Sequence, residues 1–152
     1  DNARTPMQWD ASKYAGFTAP DAPVEPWISV NPNHVEINAA EEFDDPDSVY
    51  TFYKKLIAMR HNSATISTGE WNLVAADSEQ VYAFTRTSGD DAILVVVNLT
   101  GKTARVPAEV ARLLENGVSE SRVLLSTYDA VHGVKSIARG ELARWEGVVI
   151  QL

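Results

Sequence analysis

The chain has 152 residues, enough for one domain or for a small domain with an appended segment, and its 45% hydrophobic and 22% charged residues are typical of a globular protein. Its 13 basic and 21 acidic residues give a net charge of −8, which argues against a broad contact with nucleic acid or with an anionic membrane. The lack of cysteine excludes disulfides, thiolate nucleophiles and cysteine-based zinc sites, and no apolar run approaches the roughly 20 residues that span a bilayer.

Residues 1–44 are predicted to form one long irregular segment. Six of the seven prolines lie in the first 46 residues, and proline fixes φ and lacks the N–H that regular structure needs. Eight of the thirteen aromatic residues lie before residue 54, which is not typical of a solvated linker. Long loops of this kind are often functional or packed on another part of a protein.

A helix is predicted next, over about 46–61. Asp45 is a suitable N-cap and Pro46 fits the first helical position. Apolar side chains then recur at helical spacing through Ile57.

The pattern changes from Gly69 onward and favours short strands. These β-branched or aromatic segments are 71–75, 81–87, 92–99, 103–106, 122–126 and 147–152. The links at 88–91 and 100–102 are typical of hairpins, and the apolar run 93–97 predicts a strand buried on both faces. Residues 108–116 favour a short helix or a turn. This spacing predicts an antiparallel β-sandwich or a small barrel.

A search for chemical motifs is mostly negative. The chain lacks a Gly-x-Ser-x-Gly elbow, a phosphate-binding loop and a dinucleotide fingerprint. His34, His61 and His132 stand apart and are expected to be surface or capping residues. The acidic run 41–47 is interpreted as helix capping and solvated charge rather than a calcium site, and the glycosylation sequon at Asn98 is given no weight. No catalytic residue, cofactor or metal site is therefore predicted.

The first ten residues, DNARTPMQWD, combine hydrogen-bonding side chains with an arginine and a tryptophan. Such a mixture suits sugar recognition, because polar groups bond hydroxyls and an indole stacks on a sugar ring. The alternative is structural: Arg4 ties down loop carbonyls and Trp9 fills a core. The composition alone leaves both open.

The exact strings carry more information than the composition. Residues 1–10 followed by AGFT at 15–18 resemble a signature of the α-glucosidases of the α-amylase superfamily, in the branch of oligo-1,6-glucosidases and dextran glucosidases. The stretches PWISVNPN at 26–33, IN at 37–38 and DPDSVY at 45–50 agree with it in order and spacing.

That resemblance implies a parent enzyme with a (β/α)8 catalytic barrel followed by an all-β C-terminal domain. Residues 1–62 then correspond to the end of the barrel, a long loop plus the last helix, and residues 63–152 to the C-terminal domain. The implied fold class is mainly β, an antiparallel β-sandwich. The start at Asp1 rather than at a methionine fits an excised C-terminal fragment.

The resemblance also implies a function. The parent is expected to be a cytoplasmic, retaining α-glucosidase that hydrolyses α-glucosidic bonds of short oligosaccharides without a cofactor. Its catalytic carboxylates would lie upstream, so the fragment is expected to be inactive. Arg4 matches the family's second arginine and is the one candidate substrate-binding residue, although shaping the loop is its favoured role. The expected partners are the missing barrel, short α-gluco-oligosaccharides bound through the parent, and other copies of the fragment by self-association.

Several alternatives stay open. The proline-rich stretch 18–26 is longer than is usual in the group and His34 replaces a usual tyrosine, so substrate preference is undecided. Trehalose-6-phosphate hydrolases, trehalose synthases and sucrose isomerases share much of the signature. Two other classes are a structural or oligomerising domain and a carbohydrate-binding module. In that module the stacking residues would be Trp9, Trp27, Trp71 or Trp145, although core packing is favoured for most of them.

Overall fold

The computed structural model describes residues 2–152. Clustering of the backbone divides the chain into two compact units, Asp1–Ile57 and Ala58–Leu152. They are called the first unit and the β unit below, and each is described by itself. The assignment of residues 1–62 and 63–152 to two parental domains stays a prediction.

The first unit is mostly irregular, as predicted, but contains short ordered turns. Three 3-10 segments cover Asn2–Arg4, Lys13–Gly16 and Pro32–Val35. A five-residue helix, α1 (Ala39–Phe43), begins where the Asn38 side-chain oxygen accepts the Glu41 N–H at 3.1 Å. The helix α1 was not predicted, since five residues are too few to show helical periodicity.

The helix predicted over about 46–61 is present, but it begins three residues later than expected. It is α2 (Val49–Asn62). The Asp45 carboxylate accepts the Asp47 N–H at 2.8 Å and closes a turn rather than capping the helix. The Ser48 hydroxyl oxygen instead accepts the Thr51 N–H at 3.1 Å, which is the geometry of an N-cap.

The β unit contains two antiparallel sheets. A five-stranded sheet has the strand order β1-β2-β3-β7-β5, and a two-stranded sheet pairs β4 with β6. The predicted mainly antiparallel β fold is confirmed. The elements are α3 (Ala64–Thr68), β1 (Glu70–Val74), β2 (Val81–Ser88), β3 (Asp91–Asn98), β4 (Ala104–Arg105), α4 (Ala108–Leu113), β5 (Val123–Ser126), α5 (Ala130–Arg139), β6 (Glu141–Leu142) and β7 (Gly147–Gln151).

One face of the five-stranded sheet supplies the core. Its inward side chains pack against residues of α4, β4 and β6, as alternation along a strand requires. Within the predicted buried run of β3, Leu94 and Val96 are fully buried, while Val95 and Val97 on the opposite face are half-buried. The buried core residues are Val81, Ala83, Leu94, Val96, Ala104, Val110, Leu114, Leu142, Val148 and Ile150.

One of the two predicted hairpins is confirmed and the other is wrong. The link at 88–91 joins the antiparallel strands β2 and β3, with Gly89 at φ +59°. The link at 100–102 does not form a hairpin, because β4 pairs with β6 in the other sheet. The strand β3 already has β2 and β7 on its two sides, so no edge remains for β4.

The helix α5 was not predicted, although its end signals stand in the sequence. The Asp129 carboxylate accepts the His132 N–H at 2.7 Å at its start, and Gly140 ends it in the left-handed conformation at φ +72°. The predicted helix or turn at 108–116 is a helix, α4, over its first six residues.

Because the Asp91 carboxylate accepts hydrogen bonds, we predict that the stability of the β unit depends on pH. Its carboxylate accepts hydrogen bonds from the Thr65 hydroxyl and, at 2.6 Å, from the Gln151 amide. The Thr65 bond and then the Gln151 bond lower the pKa of Asp91 below its usual 3.8. The bonds therefore stabilise the fold above about pH 4, and this contribution disappears as the pH falls through the lowered pKa.

We expect Asp91→Asn to lower the free energy of unfolding at pH 7 and to lower it less near pH 2.5. Urea unfolding at both pH values measures this difference. Asp90→Asn is the matched control, since the described residues give Asp90 no such bonds. An Asp91→Asn effect of equal size at both pH values would contradict the assignment.

Candidate functional site

The candidate site predicted in the first ten residues is built around a contact between Arg4 and Trp27. The central guanidinium carbon of Arg4 lies 5.7 Å from the centre of the Trp27 ring, which is the geometry of a cation–π interaction. The two residues are 23 positions apart, and no pattern in the sequence predicts that they pair. The contact orders the loop and leaves most of the indole exposed.

Gln8 and Trp9 hold the loop onto the segment before α1. The Gln8 amide nitrogen donates to the Asn33 side-chain oxygen at 3.1 Å and to the Ile37 carbonyl. The carbonyls of Gln8 and Trp9 accept the N–H groups of Ala39 and Ala40 at 2.9 and 3.0 Å. Beside these bonds lies a cleft of about 320 Å³. Its lining residues are Thr5, Pro6, Met7, Gln8, Ile37, Asn38, Ala39, Glu42 and Tyr50.

The turn after Trp9 has unusual backbone geometry. Tyr14, Ala15 and Gly16 are consecutive residues with φ values of 62°, 54° and 64°, a region that residues other than glycine rarely adopt. The Ala15 carbonyl accepts the N–H groups of Trp9 and Asp10 at 2.9 and 3.3 Å, which holds this geometry in place.

The Asp10 carboxylate stabilises the beginning of the same turn. Its carboxylate accepts the Ser12 hydroxyl and the Ser12 N–H, and these bonds, the hydroxyl first, lower the pKa of Asp10. A Cβ at position 16 would lie 2.6 Å from an Asp10 carboxylate oxygen. Glycine at position 16 therefore suits the positive φ and leaves the Asp10 carboxylate free to bond to Ser12.

The histidines do not form a site. The Nδ1 atom of His34 lies 3.0 Å from the Asn31 carbonyl oxygen, a local turn contact. His132 stacks on the ring of Tyr128, and its Nε2 lies 3.6 Å from an oxygen of the buried Glu146. Within residues 2–152 no three side chains of the metal-binding types come together, and no helix there is both long and apolar enough to cross a membrane.

The tryptophans differ from the prediction. Core packing was favoured for most of them, yet the exposed fractions are 49% for Trp9, 85% for Trp27, 47% for Trp71 and 61% for Trp145. That prediction is wrong for this chain. Nothing in the sequence distinguishes an exposed indole from a buried one, because strands and loops place aromatic residues on both faces.

Asn98 is a buried structural residue rather than a glycosylation acceptor. Its side-chain nitrogen donates to the carbonyls of Lys102 and Ala143, both at 2.7 Å. Its side-chain oxygen accepts the N–H and the hydroxyl of Thr100 at 3.0 and 2.8 Å. The side chain is fully buried and uses both its polar atoms, so the sequon is not accessible.

The comparisons with known proteins agree with the family resemblance of the N-terminal motifs. Residues 1–69 match the family model "Alpha amylase, catalytic domain". The whole chain aligns with oligo-1,6-glucosidases of Parageobacillus thermoglucosidasius (40% identity) and Bacillus cereus (36% identity), and covers 25% of each. The homologues of this chain are oligo-1,6-glucosidases. They are glycoside hydrolases of the α-amylase family, and the chain spans about a quarter of their length.

Solved structures agree with the comparison to the oligo-1,6-glucosidases. The isomaltulose synthase of Klebsiella sp. LX3 matches with a TM-score of 0.80 and 33% identity, over 99% of this chain and 25% of that one. The trehalulose synthase MutB of Pseudomonas mesoacidophila MX-45 matches with a TM-score of 0.76 and 36% identity over the same shares. The predicted glycoside hydrolase family fits these comparisons, and so does the alternative of a sucrose isomerase relative.

Proposed function

We propose that the chain is the C-terminal part of a retaining α-glucosidase that hydrolyses α-glucosidic bonds of short oligosaccharides in the cytoplasm. One observation carries the proposal: 40% identity along the whole chain to an oligo-1,6-glucosidase four times as long. In this proposal residues 1–62 are the end of the catalytic barrel, with α2 as its last helix. Residues 63–152 are a mainly β domain that follows it, with the short helices α3, α4 and α5 between its strands.

The chain alone is proposed to be inactive. A retaining glycosidase needs two carboxyl groups about 5–5.5 Å apart across the scissile bond. By the family resemblance both belong to the part of the barrel that this chain lacks. The missing barrel is thus the partner that completes the site, and short α-gluco-oligosaccharides are its substrates.

Arg4 is proposed to act on this site through the loop. Its contact with Trp27 and the hydrogen bonds of Gln8 and Trp9 to residues 33–40 give the loop one fixed shape. Such a loop can present polar side chains to a sugar at the mouth of the barrel. The apolar side chains that the first unit leaves exposed support self-association of the isolated chain. They are Met7, Trp9, Phe17, Val24, Trp27, Val35, Ile37, Phe43, Val49, Tyr50, Tyr53 and Ile57.

Hydrolysis of a chromogenic α-glucoside tests the proposal. The sample is the purified chain with an intact mass of 16.7 kDa, and the positive control is the Parageobacillus oligo-1,6-glucosidase. We expect no turnover above the buffer rate from a cooperatively folded chain. Clear turnover would mean that carboxylates of this chain form a complete site, and would overturn the proposal.

A chimera tests the proposal by a gain of activity. In it, this chain replaces the aligned 25% of the Parageobacillus oligo-1,6-glucosidase, and hydrolysis of isomaltose is measured. We expect activity, because the carboxylates remain in the relative and the exchanged part keeps the family's loop and β domain. A folded chimera that binds no substrate would contradict the role assigned to residues 1–62.

A further inference from the structure

Trp145, in the loop between β6 and β7, combines wide exposure with a strained backbone. Its indole is 61% exposed and its φ is +56°. A bulky residue with positive φ is a true outlier, whereas glycine adopts this conformation without strain. Backbone strain of this kind concentrates at functional positions. The chain thus keeps a large aromatic residue where glycine would be the unstrained choice, and does not bury it.

The loop that carries Trp145 is held rigidly. The Trp145 N–H donates to the Thr100 carbonyl at 3.0 Å, and the Thr127 hydroxyl donates to the Trp145 carbonyl at 3.4 Å. The Tyr128 hydroxyl donates to the Arg144 carbonyl at 2.9 Å. The indole is therefore presented by a fixed backbone, which lowers the entropy lost when a ligand binds.

The buried side chains of Asn98 and Glu146 hydrogen-bond to the backbone of the same loop. The Asn98 amide holds the Ala143 carbonyl, and a carboxylate oxygen of the buried Glu146 accepts the Ala143 N–H at 2.6 Å. Both anchoring side chains are fully buried in the β unit.

The indole of Trp145 lies over Gly101, at a distance that would leave a Cβ at position 101 in ordinary van der Waals contact. Three consecutive ring atoms of Trp145 (Cζ2, Nε1 and Cε2) lie 3.6–3.8 Å from the place of a Cβ at position 101. Within residues 2–152 the indole N–H of Trp145 has no hydrogen-bond acceptor, nor do the exposed side chains of Lys102 and Arg144 bond to another group. Lys102 follows Gly101 in the chain and Arg144 precedes Trp145. Hydrogen-bond donors and an aromatic surface therefore occur together.

We propose that Trp145 is the stacking platform of a second sugar site, which binds a pyranose ring of an α-gluco-oligosaccharide. A planar indole stacks on the apolar face of a pyranose, while its N–H and the cationic side chains donate to hydroxyls. The net charge of −8 disfavours a polyanion at this surface. The choice of an α-linked glucose unit rests on the proposed function, whereas the site itself rests on the geometry of Trp145.

The other three tryptophans lack this combination. Trp9 and Trp27 lie in the segment that matches only part of a catalytic domain, whose remainder would cover them. Trp71 lies in the regular strand β1, with its ring 6.3 Å from that of Phe84. Of the four, Trp145 is the one whose own backbone is strained.

The experiment follows the four indole N–H signals of the ¹⁵N-labelled chain by NMR, assigned with single Trp→Phe variants. Isomaltotriose and maltotriose are titrated to about 10 mM, where a millimolar site is mostly filled. We expect a saturable shift of the Trp145 signal that exceeds the shifts of the other three. Trp145→Ala should abolish saturable binding, measured by calorimetry, whereas the matched control Trp71→Ala should retain it.

The outcomes separate this site from the proposed function. A Trp145 signal that stays in place with every sugar overturns the site and leaves the hydrolysis test untouched. A saturable shift with cellobiose and none with α-linked sugars overturns the α-gluco ligand, whereas the proposed function is decided by the hydrolysis test. Because the unaltered chain is the sample, the proposal can be refuted even where Trp145→Ala fails to fold.

Discussion

Replacing Asn98 with leucine is expected to lower the free energy of unfolding of the β unit by about 3 kcal/mol or more. The two side chains have the same branching and number of heavy atoms, but leucine is larger and cannot donate to the carbonyls of Lys102 and Ala143 or accept from Thr100. Each buried polar group left without a partner costs about 1–3 kcal/mol. The loss should also loosen the loops that carry Gly101 and Trp145.

Urea unfolding followed by circular dichroism measures this effect. Asn72→Leu is the matched control, because Asn72 lies exposed in β1 and such surface changes are usually within about 0.5 kcal/mol. If Asn98→Leu is no more destabilising than Asn72→Leu, the hydrogen-bond assignment is wrong.

Gly69→Ala should destabilise the β unit by about 3 kcal/mol, the upper end for overpacking. Gly69 joins α3 to β1 at φ −60°, which any residue adopts, so its backbone angle does not explain it. A Cβ there would lie 2.4 Å from the Thr65 carbonyl oxygen and 2.8 Å from that of Thr87. Both atoms belong to the backbone, so relief requires moving α3 or β2.

The control for this prediction is another glycine. Gly89 has a φ of +59° and open space around its missing Cβ, so Gly89→Ala should lower the free energy of unfolding by about 1–2 kcal/mol, through backbone strain alone. Thermal and urea unfolding of the two variants give the comparison. Equal losses would contradict the assignment, because they would show that the close approach of the Thr65 and Thr87 carbonyls adds nothing to the effect at position 69.

The strands of the central sheet could be predicted because their signals are local. Residues 81–87 and 92–99 are β-branched or aromatic runs on either side of a glycine turn, and β2 and β3 agree with them to within one residue. The start of α2 was misplaced because Asp45 and Ser48 are both suitable caps, and only the fold decides which oxygen meets the first N–H groups.

The remaining features depend on contacts between distant parts of the chain. The hairpin predicted at 100–102 is absent because β4 pairs with the distant strand β6 and not with β3, which no local pattern reveals. The two-residue strands β4 and β6 are too short for periodicity. In the candidate site, the Arg4–Trp27 contact and the exposure of Trp145 are likewise properties of the folded chain.

The position of β7 has a consequence for synthesis on the ribosome. It is made after the other six strands, yet it lies between β3 and β5 in the five-stranded sheet. Until residues 147–151 leave the exit tunnel, β5 has no partner strand and β3 has one open edge. A nascent chain with an open edge and an uncovered apolar face is prone to aggregate and is a natural client for chaperones. The β unit is therefore expected to close only after its last strand has been translated, and slowly, because the final pairings join distant residues.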